Sequence, residues 1–303
     1  IVCITQSMQI INFIVMWKNH VLFIIMGFYM NKIVKGIALA AGTYVACGLQ
    51  YHKIDQTEYL ISTDKVQDDV CICVLSDLHC RKFGDKQSRI MKIVEQRHPD
   101  LVIIPGDLFD VDRDFSISFM LIDALKNYPV YFTSGNHDNY LNQMDELRRI
   151  LQQKGVHVLE DAGAVFTKGN SAIEIFGMSD HGRKPMIQAS DLKYMFHTDL
   201  YKILISHRPE YTEFYKKADC DLVVSGHVHG GQWRIPLVKR GMYAPQQGVF
   251  PAYSQGVHRL NGTNLVISRG LASGNPMIPR LYNNPEIVFI QLTNQKKNNI
   301  IAK

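Results

Sequence analysis

Two kinds of apolar pattern alternate along most of the chain. Short unbroken runs have the length and composition of strands buried on both faces: Val70-Cys71-Ile72-Cys73-Val74-Leu75, Leu101-Val102-Ile103-Ile104, Val130-Tyr131-Phe132-Thr133, Tyr201-Lys202-Ile203-Leu204-Ile205 and Asp221-Leu222-Val223-Val224-Ser225. Between them apolar residues recur at helical spacing. Ile90, Ile93 and Val94 predict an amphipathic helix over 86–97, stopped by Pro99. A second helix is predicted over 116–126, and Leu141, Met144, Leu147 and Leu151 mark a third. The first three runs and their helices make a βαβαβ unit, so the fold class is α/β with parallel strands. From 156 to 179 the runs shorten around Gly163 and Lys168-Gly169-Asn170, which predicts a change to antiparallel pairing. Residues 181–199 read as an irregular polar loop. Pro209 is placed to open a helix toward Lys216, and 263–268 and 286–292 are strand-like.

The first fifty residues differ in kind. They hold no acidic residue and are rich in Ile, Val, Phe, Met and Ala, but Lys18-Asn19-His20 and Asn31-Lys32 interrupt any run of about eighteen apolar residues. From Met30 a basic Met-Asn-Lys-Ile-Val-Lys precedes an apolar stretch over 36–49, the layout of a signal peptide or uncleaved anchor with Met30 as the true start. A buried first helix of the domain is the plainer reading. The expected organisation is a leader over 1–50, a linker or start of the domain over 51–69, a catalytic domain over 70–292 and a frayed tail over 293–303. The leader implies membrane association and a membrane or extracytoplasmic location, with the cytoplasmic face of the membrane as the other option.

With 303 residues, 46% of them hydrophobic, the chain can bury one large α/β core or two small ones. The net charge of +5 is scattered rather than gathered, so no nucleic-acid partner is expected. The six cysteines lack the spacing of a zinc knuckle or disulfide framework. Cys71 and Cys73 lie two apart on a strand and share a face, as buried small hydrophobes do.

Candidate chemistry lies where the apolar runs end. Asp77 and His79 follow the first, Asp107 the second, Asn136 and His137 the third, His207 the fourth, and Gly226-His227-Val228-His229-Gly230 the fifth. The carboxyl ends of strands are where an open α/β sheet gathers its chemistry. Taken singly, Gly-Asp is a common turn and His-x-His between glycines a tight one. Together, carboxylate, amide and imidazole donors suit Mn, Fe or Zn without any cysteine. Two ions about 3.5–4 Å apart need a bridging carboxylate, and Asp107, alone on the middle strand, is the natural bridge.

Asp-x-His, Gly-Asp, Gly-Asn-His-Asp, a strand-terminal His and Gly-His-x-His, in this order over roughly 70–292, resemble the calcineurin-like metallophosphoesterases. Gly230-Gly231-Gln232, Tyr243-Ala244-Pro245, Gly248-Val249-Phe250-Pro251, Ser268-Arg269-Gly270-Leu271 and Asn284-Pro285-Glu286 are similar to the bacterial YkuE/YaeI-like phosphodiesterase branch. The resemblance implies a four-layer αββα sandwich holding two divalent metal ions, Mn first, with Fe or Zn as alternatives. Asp77, His79, Asp107 and His229 would hold one ion, and Asp107, Asn136, His207 and His227 the other. It further implies hydrolysis of a phosphodiester or pyrophosphate by a hydroxide shared between the ions. A phosphomonoesterase and a non-catalytic scaffold are the competing functions.

His137, next to Asn136, is the candidate general acid, with a hydrogen bond to a ligand as its plainer role. Asp138 is expected either to orient His137 or to cap a helix near Leu141, and Arg81 and Arg208 are placed to meet phosphate. Two departures stand out: Ala272 where glycine is expected, and Asn31-Lys32 where a twin-arginine signal would carry paired arginines. By analogy with relatives, the leader also permits a lipid-linked substrate.

Overall fold

The computed structural model describes residues 53–182, 184–196, 199–234, 240–272, 274, 275 and 278–295, with helical positions scattered between Met16 and Ala46. Ile1–Gln50 form one unit and Tyr51–Lys303 another. In the first, residues 30–39 are helical and exposed. Among the described residues no helix is long and apolar enough to cross a membrane. Much of the expected leader, and the tail beyond Gln295, lie outside the described residues.

The second unit contains β1 (Asp55–Ser62), β2 (Val70–Val74), α1 (Ser88–Arg97), β3 (Leu101–Pro105), α2 (Ser116–Ala124), β4 (Val130–Thr133), α3 (Asn136–Asn139), α4 (Met144–Gln153) and β5 (Val156–Val158). The chain continues through β6 (Ala162–Lys168), β7 (Ser171–Met178), α5 (Ala189–Met195), β8 (Tyr201–Ser206), α6 (Thr212–Tyr215) and β9 (Leu222–Ser225). It ends with β10 (Tyr243–Ala244), β11 (Gly248–Val249), β12 (Gly256–Leu260), β13 (Thr263–Ile267), β14 (Gly274–Asn275), β15 (Ile278–Pro279) and β16 (Glu286–Thr293).

Two six-stranded sheets result, in the orders β1-β16-β2-β3-β4-β5 and β12-β13-β9-β8-β7-β6. Alternation along each strand sends one set of side chains between the sheets and the other outward. Ile72, Val74 and Ile103 of the first sheet thus meet Ile173, Ile203 and Val224 of the second in an inner core. Cys73, Val102, Ile104 and Phe132 point the other way, against Ile90, Leu121 and Leu147 of the helices. Leu204, Val223 and Leu265 pack outward against Leu192 and Tyr215. Helix layer, sheet, sheet, helix layer is the expected four-layer αββα sandwich. Cys71 and Cys73 are free thiols on the helix-facing side, as their spacing implies.

Strands β2, β3 and β4 pair in parallel, as do β7, β8 and β9. Their carboxyl ends carry the polar motifs of both sheets. The antiparallel change expected after 156 is confined to the β6–β7 hairpin, because β5 still pairs in parallel with β4. Residues 51–69 hold β1, which pairs in parallel with β16 from Asp55↔Glu286 to Ser62↔Thr293, so the sheet begins well before Val70. The expected loop over 181–199 contains α5, and the helix after Pro209 starts only at Thr212.

Candidate metal centre

The strand-end motifs converge. Asp77, His79, Asp107 and His229 each bring a donor atom within 4.8 Å of one another, and Asp107, His207 and His227 form a second such group. Asp107 is common to both. Its Oδ2 lies 3.5 Å from Nε2 of His79 and 3.2 Å from Nε2 of His207. Asn136 joins the second group through Oδ1, 3.1 Å from Nε2 of His207, and Nδ1 of His227 lies 3.2 Å from that same nitrogen. In the first group His79 and His229 oppose their Nε2 atoms at 3.2 Å, with Asp77 Oδ1 3.4 Å from His229. All seven expected donors therefore sit together, and the two histidines of His-x-His fall into different groups.

The local backbone is built for this convergence. Asp77, His79, Asp107, His227 and His229 all take left-handed φ, between 47° and 70°. For residues with a Cβ this costs on the order of 1–3 kcal/mol each and marks functional sites. The glycines between them keep the turns tight. A Cβ on Gly226 would strike Ser76 and Asp77, one on Gly135 would strike Asp107, and Gly106 has φ +90° with His207 against it.

The donors fit cations. Nδ1 of His207 lies 2.7 Å from the carbonyl oxygen of Pro105, which can only accept, so Nδ1 carries the proton and Nε2 a lone pair. That lone pair faces the acceptor oxygens of Asp107 and Asn136. Against the Asp107 carboxylate, which can only accept, a second proton or a metal ion reconciles that lone pair. The electrostatics agree: burial opposes charge on His207, yet the Asp107 carboxylate pushes its pKa up to about 10. At His229, Gln232 Nε2 stands 3.3 Å from Nδ1 while the buried Oε1 has no partner. Turning this carboxamide over places Oε1 on Nδ1–H and frees Nε2 of His229 as a lone pair.

His137 stands beside the centre rather than in it. Its backbone N–H donates to Asp107 Oδ1 at 2.8 Å, and its Nδ1 meets Asp110 Oδ1 at 2.8 Å. Burial opposes its charge, but Asp110 and Asp107 raise its pKa above the ordinary value. Asp110 Oδ2 is also 3.2 Å from Nδ1 of His79. The expectation that Asp138 orients His137 is corrected: its carboxylate accepts from the backbone N–H groups of Asp107 (2.7 Å), Phe109 (2.8 Å) and Gly135 (2.9 Å). Asp138 knits the β3 and β4 loops together, and Asp110 is the partner that sequence reasoning passed over. The sequence offers only a carboxylate three residues after Asp107, in the loop that follows β3.

A cleft of about 620 Å³ opens over the centre, lined by His79, Asp107, Asn136, His137, His227 and His229 and by cationic Arg81, Lys82, Arg113 and Arg208. Arg208 is buried, with Nε 2.8 Å from Asp180 Oδ2 and Nη1 3.3 Å from Nε2 of His227. Arg81 donates to the Leu271 carbonyl at 3.2 Å. Ala272, the unexpected residue, lies on the cleft wall.

Comparison with known proteins agrees with this geometry. The chain is 27% identical over 250 residues to the metallophosphoesterase YkoQ of Bacillus subtilis, covering 79% of this chain and 88% of that one. It is 28% identical over 230 residues to the phosphodiesterase YaeI of Escherichia coli (73% and 81% covered) and 26% identical over 286 residues to the metallophosphoesterase YkuE of Bacillus subtilis (86% and 96%). The family model for calcineurin-like phosphoesterases matches residues 72–231, a span that contains every residue of both donor groups and His137. The chain belongs to the calcineurin-like phosphoesterase family.

Proposed function

We propose that the protein is a phosphodiesterase or pyrophosphatase working at a centre of two divalent ions, manganese being the first to try. The observation that carries this reading is Asp107, whose one carboxylate reaches both donor groups. Asp77, His79, Asp107 and His229 would hold one ion, and Asp107, Asn136, His207 and His227 would hold the other. Bound there, the ions neutralise phosphoryl oxygens and make water nucleophilic near neutral pH.

The remaining work falls to the chain's own groups. His137, held at Nδ1 by Asp110, turns Nε2–H toward the cleft and protonates the leaving oxygen. The same carboxylate raises the proton affinity of that imidazole. Arg81 and Arg208 bind phosphate oxygens at the cleft wall, Arg208 with its guanidinium fixed by Asp180. An apolar leader without acidic residues supports an activity at or outside a membrane, with the cytoplasmic face of the membrane as the other option.

The test is hydrolysis of bis(p-nitrophenyl) phosphate against p-nitrophenyl phosphate by chelated and manganese-reloaded protein. Activity lost on chelation, restored by metal and higher toward the diester is expected. A monoester preference moves the reading to a phosphomonoesterase. No turnover with any divalent metal removes the enzyme reading.

A further inference from the structure

We infer that Glu210 is a positioning residue that fixes the tautomer of His227, accepting the proton of Nε2 so that Nδ1 is left as a lone pair for a metal ion; this rests on the two-ion reading above. Nδ1 of His227 lies 3.2 Å from Nε2 of His207 and so faces the donor group. An imidazole nitrogen that meets a cation is unprotonated, and the proton of the neutral ring then sits on the other nitrogen, where a carboxylate, a carbonyl or water accepts it. Nε2–H of His227 therefore needs an acceptor on the far side of the ring.

Three side chains reach that nitrogen. Nη1 of Arg208 lies 3.3 Å away, but a guanidinium only donates. Oε1 of Gln246 lies 3.4 Å away, yet Gln246 is exposed on the turn between β10 and β11, and its carboxamide turned over presents a donor instead. Oε1 of Glu210 lies 3.8 Å away. Both carboxylate oxygens of Glu210 are buried and without a hydrogen-bond partner, and Nη1 of Arg208, 3.5 Å from Oε1, is beyond ordinary hydrogen-bond distance. A buried carboxylate can only accept, and leaving it without a donor is costly. A change of side-chain torsion at Glu210 closes the gap to Nε2 of His227 and supplies that donor. Pro209 restricts the backbone between Arg208 and Glu210, so a stiff turn delivers the carboxylate. The segment after β8 thus carries one donor, His207, and the acceptor that orients a second, His227, from the segment after β9. The plainer role for Glu210 is to balance the charge of Arg208.

The experiment is calorimetric titration of the chelated full chain with manganese, in the parent, Glu210→Ala and Glu210→Gln. Losing the outer hydrogen bond of a metal-ligating histidine weakens binding about 10–100-fold. Glu210→Ala is therefore expected to weaken one of two sites by about that factor. The other site, built on Asp77 and His79, should keep its parental affinity, which also shows that the variant is folded. Glu210→Gln, whose carboxamide oxygen still accepts, should recover most of the loss. In the zinc-loaded parent, long-range nitrogen–proton spectra of the imidazoles should place the His227 proton on Nε2. A proton on Nδ1, or both sites at parental affinity in Glu210→Ala, overturns the inference. So does an equal loss in Glu210→Gln and Glu210→Ala, because charge rather than hydrogen bonding would then be what Glu210 supplies. A parent that binds fewer than two ions overturns the two-ion reading and the inference with it, whereas two ions bound alike in parent and variants overturn the inference alone.

Discussion

His207 gives its Nδ1–H to the carbonyl oxygen of Pro105, 2.7 Å away, and this one bond decides which nitrogen the ring offers to the centre. Pro105 is the last residue of β3 and His207 follows β8, so the contact also ties the two sheets together at their carboxyl edge. His207→Gln keeps a polar side chain but cannot both hold Pro105 and present a lone pair at the same point. It is expected to lower the metal content from two equivalents per chain to one, read by elemental analysis after gel filtration. Two full equivalents would remove His207 from the donor set.

His137→Ala is expected to keep both metals and lose turnover in proportion to how poor the leaving group is. A general acid is worth about 10²–10⁴ in rate, so the loss should approach that range for a diester with an alkoxide leaving group and be small with p-nitrophenolate. Asp110→Asn should show the same leaving-group dependence more weakly, because it lowers the proton affinity of His137 without removing the ring. A uniform loss with both leaving groups would reassign His137 to a supporting hydrogen bond.

Gly226→Ala places a Cβ against Ser76 Oγ and Asp77 Oδ2 in a region with no slack. Overpacking of this kind costs about 1–3 kcal/mol, a fall in Tm of about 2–4 °C per kcal/mol for a domain of this size. Thermal unfolding of metal-free protein reads it directly. An unchanged Tm would mean that the turn before His227 is looser than described.

Arg208 and Asp180 form a buried ion pair, their side chains 5% and 2% exposed. Removing only one partner leaves a charge uncompensated, so Arg208→Ala should destabilise by about 3–5 kcal/mol in urea unfolding. A loss below about 1 kcal/mol would place the pair among the weakly coupled ones.

The donor set was legible in the sequence because its members follow strands that read as unbroken apolar runs, Val70 to Leu75 above all, and a parallel sheet delivers such ends to one edge. The partner of His137 was not. Asp110 reaches it only through the left-handed turn at Asp107 that follows β3, and no spacing rule reports that turn. Asp138, adjacent in sequence, faces the other way because three backbone N–H groups claim it. Strand β1 was missed for a different reason: Gln56 and Glu58 break its apolar pattern at the sheet edge, and its partner β16 lies more than two hundred residues later. The end of α1 was marked by Pro99, whereas its start is shifted by a short 3₁₀ turn over Asp85–Gln87.

The most direct measurement is metal stoichiometry and occupancy in Asp107→Asn against the parent protein, by titration of chelated samples with manganese followed calorimetrically. If Asp107 bridges two ions, the parent binds two equivalents per chain and the variant loses tight binding at both sites together. A parent that binds one equivalent, or a variant that keeps one site at parental affinity, would contradict the shared carboxylate.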